Sequence, residues 1–520
     1  MFRRTACVLA AALLLAAVQP SLEYDEYHRS AKEAAPAGTA PEAELDAQHW
    51  VEEAQAGIRA RRARLPPTGG SARNVVMFLG DGMSVATLTA ARTLLGQRAG
   101  RAGEESHLSF EAFPTVGLAK TYCVDAQTAD SACSATAYLC GAKANRGTIG
   151  VTARVPRWHC DAAQEPSYQL ASIAAWALQD GRDAGIVTTT RVTHASPAGA
   201  YAHTAARDWE SDADARASCG LDAPPDIAHQ LVHDYPGNQF KVILGGGRRE
   251  FLPNNEVDEE GTPGRRLDGI NLIEQWRADK ASRNVTHQYV WNREQLLRAT
   301  EDPPEYLLGL FEGSHLQYHL LANASTEPTL ADLTEAAIVS LSRNEKGFFL
   351  FVEGGRIDHA HHDNLVQLAL DETIELSEAV ARAAALLPED DALLVVTADH
   401  AHVMTLSGYS RRGSDVLGPS DDVGDDGVPY MTLSYANGPG FRVPTDAGLR
   451  EDVSQEDYRA AQFVAPAGVP LESETHGGDD VAVFARGPQH AMFAGLYEQS
   501  QLPHLMAYAA CIGPGEHACD

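Results

Sequence analysis

The chain has 520 residues, with 44% hydrophobic and 22% charged side chains, so it is long and apolar enough to bury a large core; disorder, collagen and a small disulfide scaffold are excluded. Lys and Arg number 41 against 71 Asp and Glu, a net charge of −30. A general nucleic-acid binder needs a basic face, so no nucleic-acid binding is expected, and the acidity speaks first for solubility.

In chain order, Arg3 and Arg4 precede an apolar run from Ala6 to Val18. That run is too short to cross a bilayer and fits a signal peptide over 1–20. Residues 21–45, rich in Ala, Glu and Pro, read as a mobile leader. A helical pattern spans Asp46 to Arg64. From there, buried strands alternate with helices: strands over Asn74–Leu79, Ala184–Thr190, Lys241–Leu244, Gly347–Val352 and Ala392–Thr397; helices over Ser131–Leu139, Ser167–Gln179 and Leu365–Leu387. This order predicts an α/β fold with a large, mainly parallel central sheet flanked by helices, formed by 46–407 and 474–520. Residues 408–473, rich in Gly, Pro and Asp with pieces such as Tyr430–Tyr435, read as an inserted small surface subdomain. The C-terminus ends polar, without the hydrophobic tail of a lipid-anchor signal, so no membrane anchor is expected and the protein reads as secreted and soluble.

The cysteines suit an oxidising compartment. Eight occur, and Cys7 leaves with the signal peptide, so an odd number remains and at least one is unpaired. Cys511 and Cys519 bracket a small Gly-Pro-Gly loop. Cys160 and Cys219 lie in polar stretches, and a bond between them would close a long loop worth roughly 4 kcal/mol. Cys123, Cys133 and Cys140 stay ambiguous. Asn284 and Asn323 open glycosylation sequons.

Polar residues collect just after the predicted strands, where open α/β sheets place their ligands. Asp81 follows the first, His194 and Ser196 another, Glu353 ends a third, and Asp399 with His400 follow a fourth. Each alone is more often a turn former or cap; their coincidence argues for a site. Asp358 and His362 stand four apart, so a helix would turn both to one metal ion, with distant His476 available to complete the set. Three histidines in four residues also fit a solvated turn. Asp and His together suit zinc; Asp, Glu and Ser oxygens suit magnesium. Ser131, opening a helix after Asp130, is the candidate nucleophile, because a helix start welcomes an anion; an ordinary cap is the bland reading. Arg207 has the fork that clamps two phosphate oxygens, although a single Arg is usually a surface charge.

These stretches carry a resemblance: VVMFLGDGMS (75–84), DSACSATAYLCGAKAN (130–145), VTTTRVTHASPAGAYAHT (187–204), VILGGGRREF (242–251), GFFLFVEGGRIDHAHH (347–362), VVTADHAHV (395–403) and ETHGGDDVAVFARGP (474–488). The sequence resembles animal alkaline phosphatases from about residue 46 to 520. The resemblance implies a phosphate monoesterase acting through a phosphoserine at Ser131 with Arg207, on monoesters of broad type. It implies one zinc ion held by Asp358, His362 and His476, a second by Asp81, Asp399 and His400, and magnesium held by Asp81, Ser196 and Glu353, with His194 behind them. It also implies a structural calcium ion on Glu260, the Phe311 carbonyl, Glu312 and Glu327, a homodimer, and a crown-like role for 408–473. Glu327 stands where Asp is expected, Cys123 and Cys133 together are not expected beside the nucleophile, and the acidic leader is unusually long.

The residues also bear on other functions. A sulfatase needs Cys/Ser-x-Pro-x-Arg, which Ser131-Ala132-Cys133 does not supply. A diesterase would typically lack the Arg207 and magnesium arrangement. A zinc protease needs His-Glu-x-x-His, which is absent. A non-catalytic binding protein on this fold would be expected to have lost Ser131 or a zinc ligand, and all are present.

Overall fold

The computed structural model describes residues 41–64, 69–446 and 448–519. The signal peptide over 1–20 and most of the leader over 21–45 lie outside the described residues. The leader's last residues do not: Glu42–Leu45 form a single 3-10 turn, Glu44 accepts the Trp50 indole N–H at 3.0 Å, and Arg154 pairs with both Glu42 and Asp46. The helix after it runs Ala47–Arg62, anchored by buried Trp50, Ala54 and Ile58.

One ten-stranded sheet organises the molecule. Its strands are β1 (Asn74–Gly80), β2 (Thr115–Lys120), β3 (Asp183–Arg191), β4 (Val242–Gly246), β5 (His287–Val290), β6 (Tyr306–Leu310), β7 (Phe348–Gly354), β8 (Ala392–Ala398), β9 (Val481–Arg486) and β10 (Gly495–Glu498). Their spatial order is β10-β2-β9-β8-β1-β7-β3-β4-β6-β5, and every neighbouring pair is parallel except the two that involve β9. The α/β reading therefore holds. Strands β1, β7 and β8 are buried along their whole length, as a parallel sheet covered on both faces requires. One helix group, Val85–Arg98, Leu330–Leu341 and Val366–Leu386, packs together against it; another comprises Ser131–Cys140, Ile173–Gln179 and Leu502–Ala510.

Two expected elements divide. The helix expected over Ser167–Gln179 is a 3-10 turn, Pro166–Tyr168, followed by a separate helix, Ile173–Gln179. Ser172 caps the second helix by accepting Ala175 N–H, which fixes a new start where a continuous helix was expected. The strand-like piece Tyr430–Tyr435 splits at Thr432: Pro429–Met431 pairs with Pro419–Val423, whereas Leu433–Gly438 joins Met404–Leu406 and Ala467–Pro470. Most strands of these small sheets fall within 408–473, and one, Met404–Leu406, lies wholly before it.

Bridges join Cys123 to Cys133, Cys160 to Cys219, and Cys511 to Cys519. Cys140 is free and buried. Asn284 and Asn323 are both exposed.

Candidate active site

Strand pairing itself builds the site. β8, β1, β7 and β3 are consecutive and parallel, so their carboxyl ends lie side by side. In register, Leu79 pairs with Glu353, Gly80 with Ala398, and Thr188 with Glu353. Asp81, Asp399, His400 and Glu353 thus converge from residues far apart in sequence. The turn after β1 needs a glycine at 82: its φ is +66°, and a Cβ there would sit 2.3 Å from the His402 ring.

Ser131 begins the helix Ser131–Cys140, and Asp130 caps it by accepting Cys133 N–H at 3.2 Å. The Ser131 hydroxyl lies 3.2 Å from His400 Nε2 and 3.5 Å from Asp81 Oδ1. Arg207 is buried; its Nη1 donates to Asp130 Oδ2 at 3.2 Å, and its Nη2 lies 3.2 Å from His194 Nε2. Asp130 therefore serves both as helix cap and as anchor for the guanidinium.

Asp358 and His362 share a face of the short helix Arg356–His362, as their spacing requires. His476 reaches them from a two-residue strand pair in which it faces His402. The Nε2 atoms of His362 and His476 are 3.1 Å apart, and each lies 3.3 Å from a carboxylate oxygen of Asp358. His362 faces Oδ2 and His476 faces Oδ1, so the three residues bring two imidazole nitrogens and a carboxylate together, a donor set of the kind zinc takes. The neighbouring histidines are buried, which removes the solvated-turn reading.

Asp81, Asp399 and His400 form a second cluster whose donor atoms lie within 4.8 Å of one another, and Asp81, His194 and Glu353 form a third. Ser196 donates to Asp81 Oδ2 at 3.4 Å. Glu353 Oε2 accepts from Thr188 at 2.5 Å and Thr190 at 3.2 Å, while its wholly buried Oε1 has no hydrogen-bond partner. Burial, then Asp399, Asp358 and Glu353, push Asp81 well above the usual carboxylate range. Burial, with Asp399 adding to it, raises Glu353 to about 7. Buried carboxylates that repel one another, with an oxygen left unpartnered, are what a cation neutralises, and the donor set fits zinc and magnesium.

Two residues at the site were not singled out in the sequence. His402 lies between two carboxylates: Nε2 is 2.6 Å from Asp358 Oδ1, and Nδ1 is 2.5 Å from Glu474 Oε2. Burial opposes its charge, yet Glu474 and Asp358 lift its pKa to about 10. Burial works against ionised Asp358 too, but His362 and His402 outweigh it and hold Asp358 well below its ordinary value. Glu474 also accepts Val403 N–H at 2.7 Å, and its backbone carbonyl holds His362 Nδ1 at 2.6 Å. The available signal was spacing by two, His400-x-His402 and Glu474-x-His476, the period of a short strand.

The carboxylates expected to hold calcium, Glu260, Glu312 and Glu327, are not among the described groups whose ligand atoms lie close enough to share one ion. Burial and then Glu312, with Glu260 further off, raise Glu327 to about 8; burial and then Glu260 raise Glu312. Phe311 follows β6 directly, and Arg248 contacts Glu260. Glu312 and Glu327 repel one another, as oxygens around a hard cation do, whereas Glu260 is already paired with Arg248. Glu327 also accepts Gln317 N–H at 2.6 Å.

Comparison with known proteins shows the family to which the chain belongs. The family described as alkaline phosphatase matches residues 72–512. A membrane-bound alkaline phosphatase of Bombyx mori is 60% identical over 95% of this chain and 91% of its own. The human tissue-nonspecific isozyme is 45% identical over 92% of this chain and 91% of its own. Among solved structures, the Thermus thermophilus alkaline phosphatase superposes with a TM-score of 0.61 at 24% identity, covering 86% of this chain and 93% of the other, a likeness of fold. Among the described residues, no helix is long and apolar enough to cross a membrane. The chain belongs to the alkaline phosphatase family and is a phosphoric monoester hydrolase.

Proposed function

We propose that this chain hydrolyses phosphate monoesters of broad type by two displacements at phosphorus, with Ser131 as the first nucleophile. The observation that carries this reading is the placement of the Ser131 hydroxyl, at a helix start, against His400 and Asp81. Asp358, His362 and His476 would hold one zinc ion and Asp81, Asp399 and His400 another. Asp81, Ser196 and Glu353 would hold magnesium, with His194 beside them. When bound, the ions supply Lewis acidity: they favour a deprotonated hydroxyl and offset phosphate charge.

Ser131 Oγ, once deprotonated, forms its bond to phosphorus as the ester oxygen departs with the bonding pair. Arg207, held on one side by Asp130 and on the other by His194, presents its fork to the equatorial oxygens without having to reorganise. The first N–H groups of the helix add to that cradle. Water then attacks the phosphoserine from the vacated side, releasing phosphate and restoring Ser131. Two inversions retain configuration at phosphorus. A site that grips only the phosphoryl group accepts many leaving groups.

Glu260, the Phe311 carbonyl, Glu312 and Glu327 would hold structural calcium, and exposed Asn284 and Asn323 would carry glycans. The bridged cysteines favour a compartment outside the cytoplasm. We place the protein there as a secreted, soluble homodimer; the Bombyx mori relative is named membrane-bound, and high-speed centrifugation of expressing cells decides between the two forms.

The central test compares wild type with Ser131→Ala on a chromogenic phosphate monoester at alkaline pH, reading metal content on both. Turnover should fall by about three orders of magnitude or more, with zinc retained. Zinc-loaded wild type that leaves the ester intact would sink the reading.

A further inference from the structure

The loop that leads into Ser131 is tied at both ends by the Cys123–Cys133 bridge, so the nucleophile lies inside the closed ring. Both sulfurs are buried, and with Ala129, Ala144 and partly buried Ala126 they form a small apolar cluster separate from the main core. Asp125 and Gln127, at the tip, are exposed. Beside the bridge, the first part of the loop is held by Cys123 N–H to Ala126 O at 3.0 Å, Val124 N–H to Ala144 O at 3.1 Å, and Arg146 N–H to Asp125 Oδ1 at 2.8 Å.

Three parts of the site lean on this ring. The Ala129 carbonyl holds His476 Nδ1 at 2.8 Å, on the side of the imidazole opposite the nitrogen that faces His362. Asp130 holds Arg207 and also accepts Gly147 N–H at 3.0 Å. Thr128 packs under the turn after His476, where a Cβ on Gly478 would come within 3.0 Å of its hydroxyl. The remaining thiol among the described residues, Cys140, is at the far end of the same helix, 3.5 Å from Gly199 O, and does not compete for the bridge.

We propose that the Cys123–Cys133 bridge is a positioning element for the reaction: by fixing residues 124–130 it aims Arg207 through Asp130 and orients His476 through Ala129. Cys123 and Cys133 touch no substrate and act through those two neighbours. The bridge thereby sets the affinity for the phosphoryl group and the retention of the ion that His476 would hold. This inference rests on the phosphatase reading above.

The test uses the metal-loaded protein and two paired substitutions, Cys123→Ser with Cys133→Ser, and Cys160→Ser with Cys219→Ser as a bridge elsewhere. Four quantities are read: melting temperature, the inhibition constant for inorganic phosphate, KM and kcat on a chromogenic monoester, and the rate of zinc release to a chelating dye. For the 123/133 pair, the phosphate constant and zinc release should each rise about 3- to 30-fold, within the penalty for a ~1 Å misplacement, with KM rising beyond what the melting shift explains. The 160/219 pair should lower melting and leave phosphate binding and zinc release within about twofold. If the Ser pair does not accumulate, Cys123→Ala with Cys133→Ala, which buries no hydroxyl, is read the same way.

A 123/133 pair that melts earlier but binds phosphate and keeps zinc as wild type overturns the inference. So does failure of both 123/133 pairs to fold while the 160/219 pair folds, since the bridge is then a folding element. Wild type that takes up zinc yet neither turns over nor binds phosphate removes the phosphatase reading itself, a result distinct from either.

Discussion

At the residue scale, the site depends on groups that meet no substrate. Glu474 sets the state of His402, and His402 in turn shares Asp358 with the metal position. Such supporting groups commonly govern metal affinity by about 10- to 100-fold. Glu474→Gln keeps the shape and removes the charge, so His402 loses one of its two carboxylate partners. Zinc affinity, measured by competition with a buffered chelator, should weaken about tenfold while the fold persists. Unchanged affinity would reduce Glu474 to a packing role. Asp358 and His362 could be paired from their spacing of four; Ser131, Arg207 and distant His476 each had a bland reading alone and were assigned through the resemblance. His402 and Glu474 were not legible: each matters only through a two-residue strand pairing of 401–402 with 476–477, and so short a strand leaves almost no periodicity to read.

At the element scale, the long helix Val366–Leu386 was readable from its pattern, and its ends fell within a residue of expectation. Its links to neighbouring loops were not. His319, in the segment after β6, donates through Nδ1 to Asp371 Oδ2 at 2.7 Å and lies 3.4 Å from Glu375. The hydrogen bond to Asp371, reinforced by Glu375 against the cost of burial, lifts His319 to about 9. A raised imidazole stabilises the fold fully below its ordinary value near 6.5 and loses that contribution as pH climbs through about 9. Wild-type melting should therefore decline between about pH 7 and 9 more steeply than that of His319→Gln. Parallel profiles would show that the pair contributes nothing measurable, the usual result for exposed ion pairs. The missed break near Ser172 has a comparable cause: apolar residues continued through it, and only the side-chain cap, a hydrogen bond rather than a pattern, marks the new start.

At the scale of the whole molecule, the parallel sheet was legible because strands buried on both faces read as unbroken apolar runs. β9 was not foreseen as the strand that runs opposite to its neighbours, since strand direction leaves no mark on composition. The sheet also gathers Asp81, Asp358, Asp399 and Glu353 into one wholly buried volume. Without metal, Glu353 at about 7 and Asp81, also raised, hold protons that the unfolded chain releases at lower pH. An acid with a raised folded pKa makes the fold less stable as pH rises from the usual carboxylate range through that raised value. Chelator-treated protein should thus lose melting temperature between about pH 5 and 8, and its gap from the metal-loaded form should widen over the same interval. Thermal scans of both forms across that range check this; a gap independent of pH would mean that the carboxylates are neutralised some other way.

The two-residue pairing that delivers His476 has a consequence for biosynthesis. About 400 residues separate Asp81 from His476. At roughly 5–20 residues per second, a ribosome would need about 20–80 s between them. Over that interval Asp358, His362, Asp399 and His400 join the chain in turn, and the pocket cannot close before His476 arrives. The enzyme is therefore born inert, and its first turnover waits on the arrival of His476, long after Asp81 has left the ribosome.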